Sequence, residues 1–209
     1  MPKLPTILPL IAALLFSSAP AAQPSSTTNA TIELANPAQV EMAEWALGRF
    51  AAAGLELPPL TIRFVGPDLA ACDGSRARAY LDHDPIEVRI CWNDQLIVLH
   101  ELAHVWEADN VPADQHEPFM EMREGVEAWA SREVAWEARG REHAANVIAW
   151  GLLERPYPVS QTYPNDSASM IEAFRFLTNT DPIHDGGPEL TPVDRTQFRS
   201  DNVSLESGR

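Results

Sequence analysis

The first regular element that the hydrophobic pattern predicts is an amphipathic helix. The segment "NPAQVEMAEWALGRFAAAG" starts at Asn36, a good N-cap residue, has Pro37 in its first turn and ends at Gly54. Its apolar residues recur at helical spacing, at Val40, Ala43, Leu47 and Phe50. One face of this helix should therefore be buried.

Two later segments alternate apolar and polar residues, which is the period of half-buried β-strands. They are "PLTIRFVG", residues 59–66, and "PIEVRIC", residues 85–91. In the second segment Ile86, Val88 and Ile90 fall on one face. We predict that both are short strands of a small, mainly antiparallel sheet.

After residue 93 the pattern becomes helical almost to Gly151, with a break around "NVPADQHEP", residues 110–118. The segment "SASMIEAFRFLTN", residues 167–179, predicts one further helix. Tryptophans in the predicted helices are expected to pack in the core, and they are Trp45, Trp106, Trp129, Trp136 and Trp150. Short strands followed by a run of helices indicate the α+β class.

The first residues have the organisation of a secretory signal peptide. Lys3 precedes an apolar run from Ile7 to Phe16, and the small residues "APA" follow at residues 19–21. This run covers only about half of a bilayer core, so cleavage is favoured over a permanent anchor. We predict a signal peptide at residues 1–22 and a secreted protein without stable membrane insertion after cleavage.

Composition divides the remaining chain into three parts. Residues 23–35 are polar and are expected to be a linker. Residues 36–179 contain the predicted helices and strands and should form one domain. Residues 180–209 are rich in Pro, Gly, Asp and Ser, which predicts a flexible C-terminal tail.

Charge and cysteine content narrow the classes of partner and compartment. The chain has 30 acidic and 15 basic residues, a formal net charge of -15 at pH 7, which repels the phosphate backbone of nucleic acids. We therefore expect no nucleic-acid partner. Because the chain is expected to be exported to an oxidising compartment, its two cysteines, Cys72 and Cys91, should form a disulfide.

The segment "LIVLHELAHVWEAD", residues 96–109, carries an HExxH motif. His100 and His104 lie one helical turn apart on the same face, so both imidazoles can bind one ion. Glu101 borders that face and can take a proton from a metal-activated water as a general base. Two imidazoles and one carboxylate suit Zn²⁺ with an open fourth position, although other first-row metals accept the same ligands.

Three glutamates compete to be the third ligand: Glu124 and Glu127 in "REGVEAWAS", and Glu142 in "RGREHAANVIAWGL". Together with "HELAHVW", the last segment resembles the gluzincin group of zinc metallopeptidases. In that group HExxH is followed, on a second helix, by a ligand glutamate within a pattern like ExxA(D/N). The resemblance implies that Glu142 is the third ligand, that Ala145 lets the two helices approach, and that Asn146 hydrogen-bonds to a metal-binding histidine.

The rival glutamates remain open alternatives at this point. "HELAHVW…REGVEAWAS" also resembles the aminopeptidase-like pattern HExxHxW followed by NEG, with Arg123 in place of the Asn, which would make Glu124 the ligand. Glu127 is followed four residues later by Ser131, a weaker hydrogen-bonding partner. We favour Glu142 because only this glutamate has both a small residue at the third position after it and an amide at the fourth.

The same residues resemble exported bacterial proteins that are themselves predicted to be zinc peptidases. The resemblance implies a zincin-like α+β fold and a secreted zinc endopeptidase that acts on peptide or protein substrates. Two other functions remain open: an exported zinc-binding scaffold without catalysis, and an amidase of cell-wall peptides. Glu101 separates the first of these from an enzyme, because a structural zinc site has no need of a general base.

Overall fold

The computed structural model describes residues 30–154 and 162–184 and shows an α+β fold. Its described part contains one four-stranded sheet and five α-helices. The strands are β1 (Ala30–Glu33), β2 (Leu60–Phe64), β3 (Ala77–Tyr80) and β4 (Ile86–Ile90). The helices are α1 (Pro37–Ala52), α2 (Gln95–Asn110), α3 (Ala113–Glu121), α4 (Gly140–Leu152) and α5 (Ser167–Thr178). The predicted α+β class is confirmed.

Two predicted terminal segments fall largely outside this description. The predicted signal peptide, residues 1–22, and residues 185–209 of the predicted tail lie outside the described residues. Within the described ranges, none of the helices has the length and apolar character needed to cross a bilayer.

The boundaries of α1 agree with the prediction from local sequence signals. The Asn36 side chain accepts a hydrogen bond from the backbone N–H of Gln39, and the Gln39 side chain accepts one from the backbone N–H of Asn36. The two residues therefore form a capping box. The chain leaves the helix through Gly54, whose φ of 72° lies in the left-handed region. Residues Ala43, Leu47 and Phe50 are buried on the face that packs against the rest of the protein.

The sheet is mixed, and the prediction of a mainly antiparallel sheet is wrong. Its strand order is β1-β2-β4-β3, in which β1 pairs with β2 and β2 pairs with β4 in parallel. Only β3 and β4 are antiparallel. Parallel pairing requires a long crossover connection, and α1 supplies it between β1 and β2, while residues 65–85 supply it between β2 and β4.

β1 also lies within the segment that was predicted to be a polar linker. Thr31 pairs with Thr61 and Ile32 with Ile62, which extends the sheet beyond β2. Ile32 is partly buried and packs against the hydrophobic core. Residues 30–33 are therefore part of the folded domain, because their main chain completes the hydrogen-bonding edge of β2.

The predicted disulfide between Cys72 and Cys91 is confirmed. Cys72 ends a short 3-10 helix, Leu69–Cys72, and Cys91 directly follows β4. The bridge spans 19 residues of sequence and both cysteines are buried. It holds the β2–β3 connection against the end of β4, four residues before α2 begins.

The prediction that the chain is helical from the break at residues 110–118 almost to Gly151, with Trp129 in a helix, is wrong. Residues 122–139 are mostly irregular, with a 3-10 helix at Trp136–Ala138. Their main chain bonds to distant partners: Glu127 N donates to Ala138 O, and Arg141 N donates to Trp129 O. These contacts replace the local hydrogen bonds of a helix, so the helical spacing of apolar residues in this segment does not produce a helix.

Helices α2, α4 and α5 form the centre of the hydrophobic core. All residues of α4 except Arg141 are buried. A methyl group built on Gly151 would lie 2.1 Å from a ring carbon of Phe174, so α4 and α5 approach more closely than any side chain at this position allows. The start of the predicted tail packs on the same helix, because Ile183 N donates to Gly151 O and the His184 ring packs edge-on against Trp150.

Candidate metal centre

Helix α2 places the HExxH motif at the centre of the domain. The Asp94 side chain accepts hydrogen bonds from the backbone amides of Leu96 and Ile97, so the helix starts at Gln95, five residues before His100. Val98, Leu99, Leu102 and Ala103 are fully buried, so one side of α2 packs in the core. On the other side the Nε2 atoms of His100 and His104 lie 3.1 Å apart.

Glu142 completes a cluster of three potential ligands from the first turn of α4. Its Oε2 atom lies 3.0 Å from His104 Nε2 and 3.3 Å from His100 Nε2. Because α2 and α4 pack directly against each other, the carboxylate is held in this position by two buried helices. This cluster of His100, His104 and Glu142 could hold a metal ion.

The two rival glutamates lie elsewhere. Glu124 and Glu127 are exposed residues of the irregular segment after α3, and neither lines the cavity beside the histidines. The Glu124 amide donates to Tyr163 O, which ties its backbone toward the segment before α5. Of the three candidates, the structure brings only Glu142 to the histidines.

Asn146 lies one turn after Glu142 and contacts the outer nitrogen of His100. Its Oδ1 atom is 2.9 Å from His100 Nδ1, while its Nδ2 donates to the buried hydroxyl of Thr162 at 2.9 Å. Since Nδ2 can only donate, the Thr162 contact orients the amide so that its oxygen accepts from His100 Nδ1–H. His100 Nε2 is then left with its lone pair directed at the cluster, which is the form of histidine that binds metals.

The outer nitrogen of His104 faces a second carboxylate, which the sequence analysis did not identify. His104 Nδ1 lies 3.7 Å from Glu107 Oε1, too far for a hydrogen bond but close enough for electrostatic attraction. Glu107 is 2% exposed and accepts a hydrogen bond from Arg141 at 2.8 Å. The signal in the sequence is its spacing, since a glutamate three residues after the second histidine lies on the same side of the helix.

Burial and charge act in opposite directions on the cluster. Burial by itself would lower the pKa of His104, but the carboxylates of Glu107 and Glu142 outweigh it and raise the pKa to about 10. Burial opposes ionisation of Glu142, but the two imidazoles beside it outweigh that effect and hold its pKa far below the usual range. The pocket between these side chains therefore favours positive charge, whether a proton or a metal ion.

The cluster lies at one side of an open cleft with a volume of about 670 Å³. Glu101 lines the same cleft and is largely buried, with 8% of its surface exposed. The lining also includes residues of β3, the edge strand of the sheet in the described part of the chain. Glu101 and the three potential ligands therefore line one and the same cleft.

Trp136 is a cleft residue rather than a core residue, which corrects the prediction from helical spacing. It starts the 3-10 helix before α4, is 37% exposed and places its ring 6.1 Å from the ring of His100. Trp150 and Trp106 are buried, as predicted. Trp136 differs because the irregular segment turns its side chain toward the cleft.

Comparisons with known proteins add no relative from which a function could be transferred. Neither a protein-family model, nor a curated protein, nor a solved structure matches this chain significantly. The resemblance of its motifs to those of gluzincins therefore stays a prediction from sequence. Functional inference rests on the geometry and chemistry of the cleft.

Proposed function

We propose that this chain is a secreted zinc-dependent peptidase. The observation that carries the proposal is the convergence of His100 Nε2, His104 Nε2 and Glu142 Oε2 within 3.0–3.3 Å of one another beside an open cleft. Structural zinc sites are closed by four protein ligands, whereas catalytic sites have three and an open position. Three ligands at the side of a cleft therefore favour catalysis over a purely structural role.

The donor set and its spacing suit zinc. Ligand atoms about 2.0–2.1 Å from a tetrahedral ion are about 3.3 Å from one another. The three observed separations lie at or slightly below this value. Asn146 also presents His100 with its Nε2 lone pair toward the other two ligands, so a zinc ion would be held by His100, His104 and Glu142.

The roles of the side chains in peptide hydrolysis follow from their positions. Bound zinc would supply Lewis acidity, which lowers the pKa of water and polarises a scissile carbonyl. Glu101 takes the proton from the attacking water and delivers it to the leaving amine. Asn146 orients the imidazole of His100, the negative charge of Glu107 acts on His104, and burial of the cluster strengthens the electrostatic effect of each charge.

Peptide recognition is proposed to use the outer edge of β3, which pairs with no further strand among the described residues, in a zincin-like arrangement. The backbone N–H of Cys91 donates to Arg76 O, so Arg76 is hydrogen-bonded to the neighbouring strand. Hydrogen-bonded and non-hydrogen-bonded residues alternate along an antiparallel pair, so the N–H and C=O groups of Ala77 and Ala79 point away from β4. Both alanines line the cleft. An extended substrate could add to this edge through main-chain hydrogen bonds and lie across the cluster.

Export through the predicted signal peptide belongs to the same proposal. The Cys72–Cys91 disulfide supports it, because structural disulfides persist mainly in oxidising compartments. Edman sequencing of the protein recovered from the medium should begin close to residue 23. A protein that starts at Met1 and stays in the cell would contradict this part of the proposal.

Metal removal and reconstitution test the proposed activity. Purified mature protein should contain about one zinc per chain and cleave a mixed peptide library. Dialysis against a chelator should abolish cleavage, and one equivalent of Zn²⁺ should restore it. Glu142→Gln should not recover, whereas Glu172→Gln, an exposed control on α5, should behave as wild type. Cleavage that continues in zinc-free protein would overturn the proposal.

A further inference from the structure

The cleft has the opposite charge balance to the rest of the protein. The chain has 30 acidic and 15 basic residues. Among the residues that the structure describes, two carboxylates, Glu101 and Glu142, line the cleft. Its lining also contains five arginines, which are Arg76, Arg78, Arg132, Arg139 and Arg141. A positively charged cleft in a strongly negative protein focuses the positive electrostatic potential at this site, where it attracts negatively charged ligands.

Several of these arginines have no carboxylate to neutralise them. Arg76 and Arg132 are exposed, and within residues 30–154 and 162–184 neither forms an ion pair. Arg139 donates only to the main-chain oxygen of Val134. By contrast, Arg78 pairs with Asp73 at 3.0 Å and Arg141 with Glu107 at 2.8 Å. Three positive charges thus remain available to a ligand.

The available arginines come from two different parts of the fold. Arg76 immediately precedes β3, the strand with the free edge. Arg132 and Arg139 belong to the irregular segment that leads into α4. Both sources of positive charge line the same cleft as His100, His104 and Glu142.

We propose that the cleft selects extended peptide segments that carry Asp or Glu on both faces of the strand. This inference rests on the proposed peptidase function and names its substrate class. Arg76 and Arg78 are two residues apart, so their side chains lie on the same face of the strand. If a peptide strand were added to β3, its side chains on that face would lie beside Arg76. The opposite side of the same peptide would reach Arg132 and Arg139.

An acidic peptide fits these features better than another polyanion does. The main chain of Ala77 and Ala79 offers donors and acceptors in the alternating pattern of a β-strand. Sulfated polysaccharides and nucleic acids lack a complementary backbone. A net charge of -15 would also repel a long polyanion outside the cleft, whereas a short acidic segment contacts mainly the arginines.

Binding to a Glu101→Gln protein tests this inference without hydrolysis. Three fluorescein-labelled peptides of equal length would carry Glu, Gln or Lys at the same run of consecutive positions, and anisotropy would be measured with and without zinc. We expect the Glu peptide to bind on the order of tenfold more tightly than the Gln peptide and the Lys peptide most weakly. Net charge alone predicts the reverse order, and tightest binding of the Lys peptide would overturn the inference.

Charge reversal identifies the responsible residues. Arg76→Glu/Arg132→Glu, made in the Glu101→Gln protein, should remove the preference for the Glu peptide and improve binding of the Lys peptide. Arg175→Glu, an exposed site on α5, changes charge equally per residue and should keep the preference. The milder Arg76→Gln/Arg132→Gln pair, checked by circular dichroism, should give a smaller loss in the same direction. An unchanged preference in both double variants would overturn the assignment.

Two further readouts separate the competing explanations. Polyglutamate should displace the Glu peptide at a lower charge concentration than dextran sulfate does, and the reverse order would overturn the choice of a peptide ligand. The arginine effects should appear in zinc-free as well as zinc-loaded protein. Acidic preference without any zinc-dependent cleavage would overturn the peptidase proposal alone, while cleavage without acidic preference would overturn this inference alone.

Discussion

Asn146 Oδ1 accepts a hydrogen bond from His100 Nδ1 at 2.9 Å, and this contact joins α4 to α2 beside the candidate metal cluster. The same amide donates to Thr162, which lies just before α5. Three parts of the chain therefore determine how one imidazole ring is oriented. A side chain that binds no metal itself can in this way control the affinity of the cluster.

Replacing this amide tests that control. Asn146→Ala should weaken zinc binding by about 10–100-fold, because His100 loses the acceptor that fixes its ring and tautomer. Asn146→Asp keeps an acceptor at the same place and should bind zinc at least as tightly as wild type. Competition with a fluorescent zinc chelator measures both affinities. Equal affinity in the alanine variant would show that the contact does not position His100.

The choice of third ligand can be tested with a matched pair of glutamates. Glu142→Gln should lower zinc affinity by more than about 100-fold, because the cluster loses its only anionic ligand while the side-chain size is kept. Glu127→Gln removes the same charge from an exposed site outside the cleft and should leave affinity unchanged. Isothermal titration calorimetry measures both. The opposite ranking would assign the ligand to Glu127.

The disulfide should make a measurable contribution to stability. Its 19-residue separation corresponds to about 3 kcal/mol on the loop-entropy estimate. Reduction should lower the free energy of unfolding in urea by about that amount. Cys72→Ala/Cys91→Ala should resemble the reduced protein and should not respond to reductant. A wild-type protein whose urea midpoint is insensitive to reduction would contradict this prediction.

The close approach of α4 and α5 predicts opposite effects for two glycine substitutions. Gly151→Ala should destabilise the protein by about 1–3 kcal/mol, since the new methyl group overlaps the ring of Phe174. Gly48→Ala, on the exposed face of α1 with no atom near the new methyl, should stabilise it by about 0.5–1 kcal/mol. Urea denaturation of both variants checks the signs. Stabilisation by Gly151→Ala would show that α5 can move away without loss.

The elements that sequence predicted well are those determined by neighbouring residues. The capping box of Asn36 and Gln39 and the left-handed Gly54 set the ends of α1. The HExxH spacing places both histidines on one face of α2 because helical geometry is local. The amide of Asn146 could be placed beside a histidine only through the resemblance, since this contact joins residues 46 apart in sequence.

The wrong predictions all concern residues whose partners are distant in sequence. Alternating apolar residues identify β2 and β4 as strands but carry no information on their direction, which the long connection between them permits to be parallel. Trp136 has helical spacing, yet nonlocal hydrogen bonds of residues 127–141 keep its segment irregular. The arginines of the cleft are scattered over 66 residues of sequence, from Arg76 to Arg141, and they line one cleft only in the folded protein.

A comparison of wild-type and Glu101→Gln proteins at equal zinc occupancy tests whether Glu101 is the general base of a zinc peptidase. Both should bind one zinc per chain with similar affinity, because Glu101 is not one of the three ligands in the cluster. The variant should lose peptide hydrolysis by several orders of magnitude, since an amide cannot accept the proton of the attacking water. Full turnover by zinc-loaded Glu101→Gln would contradict the account.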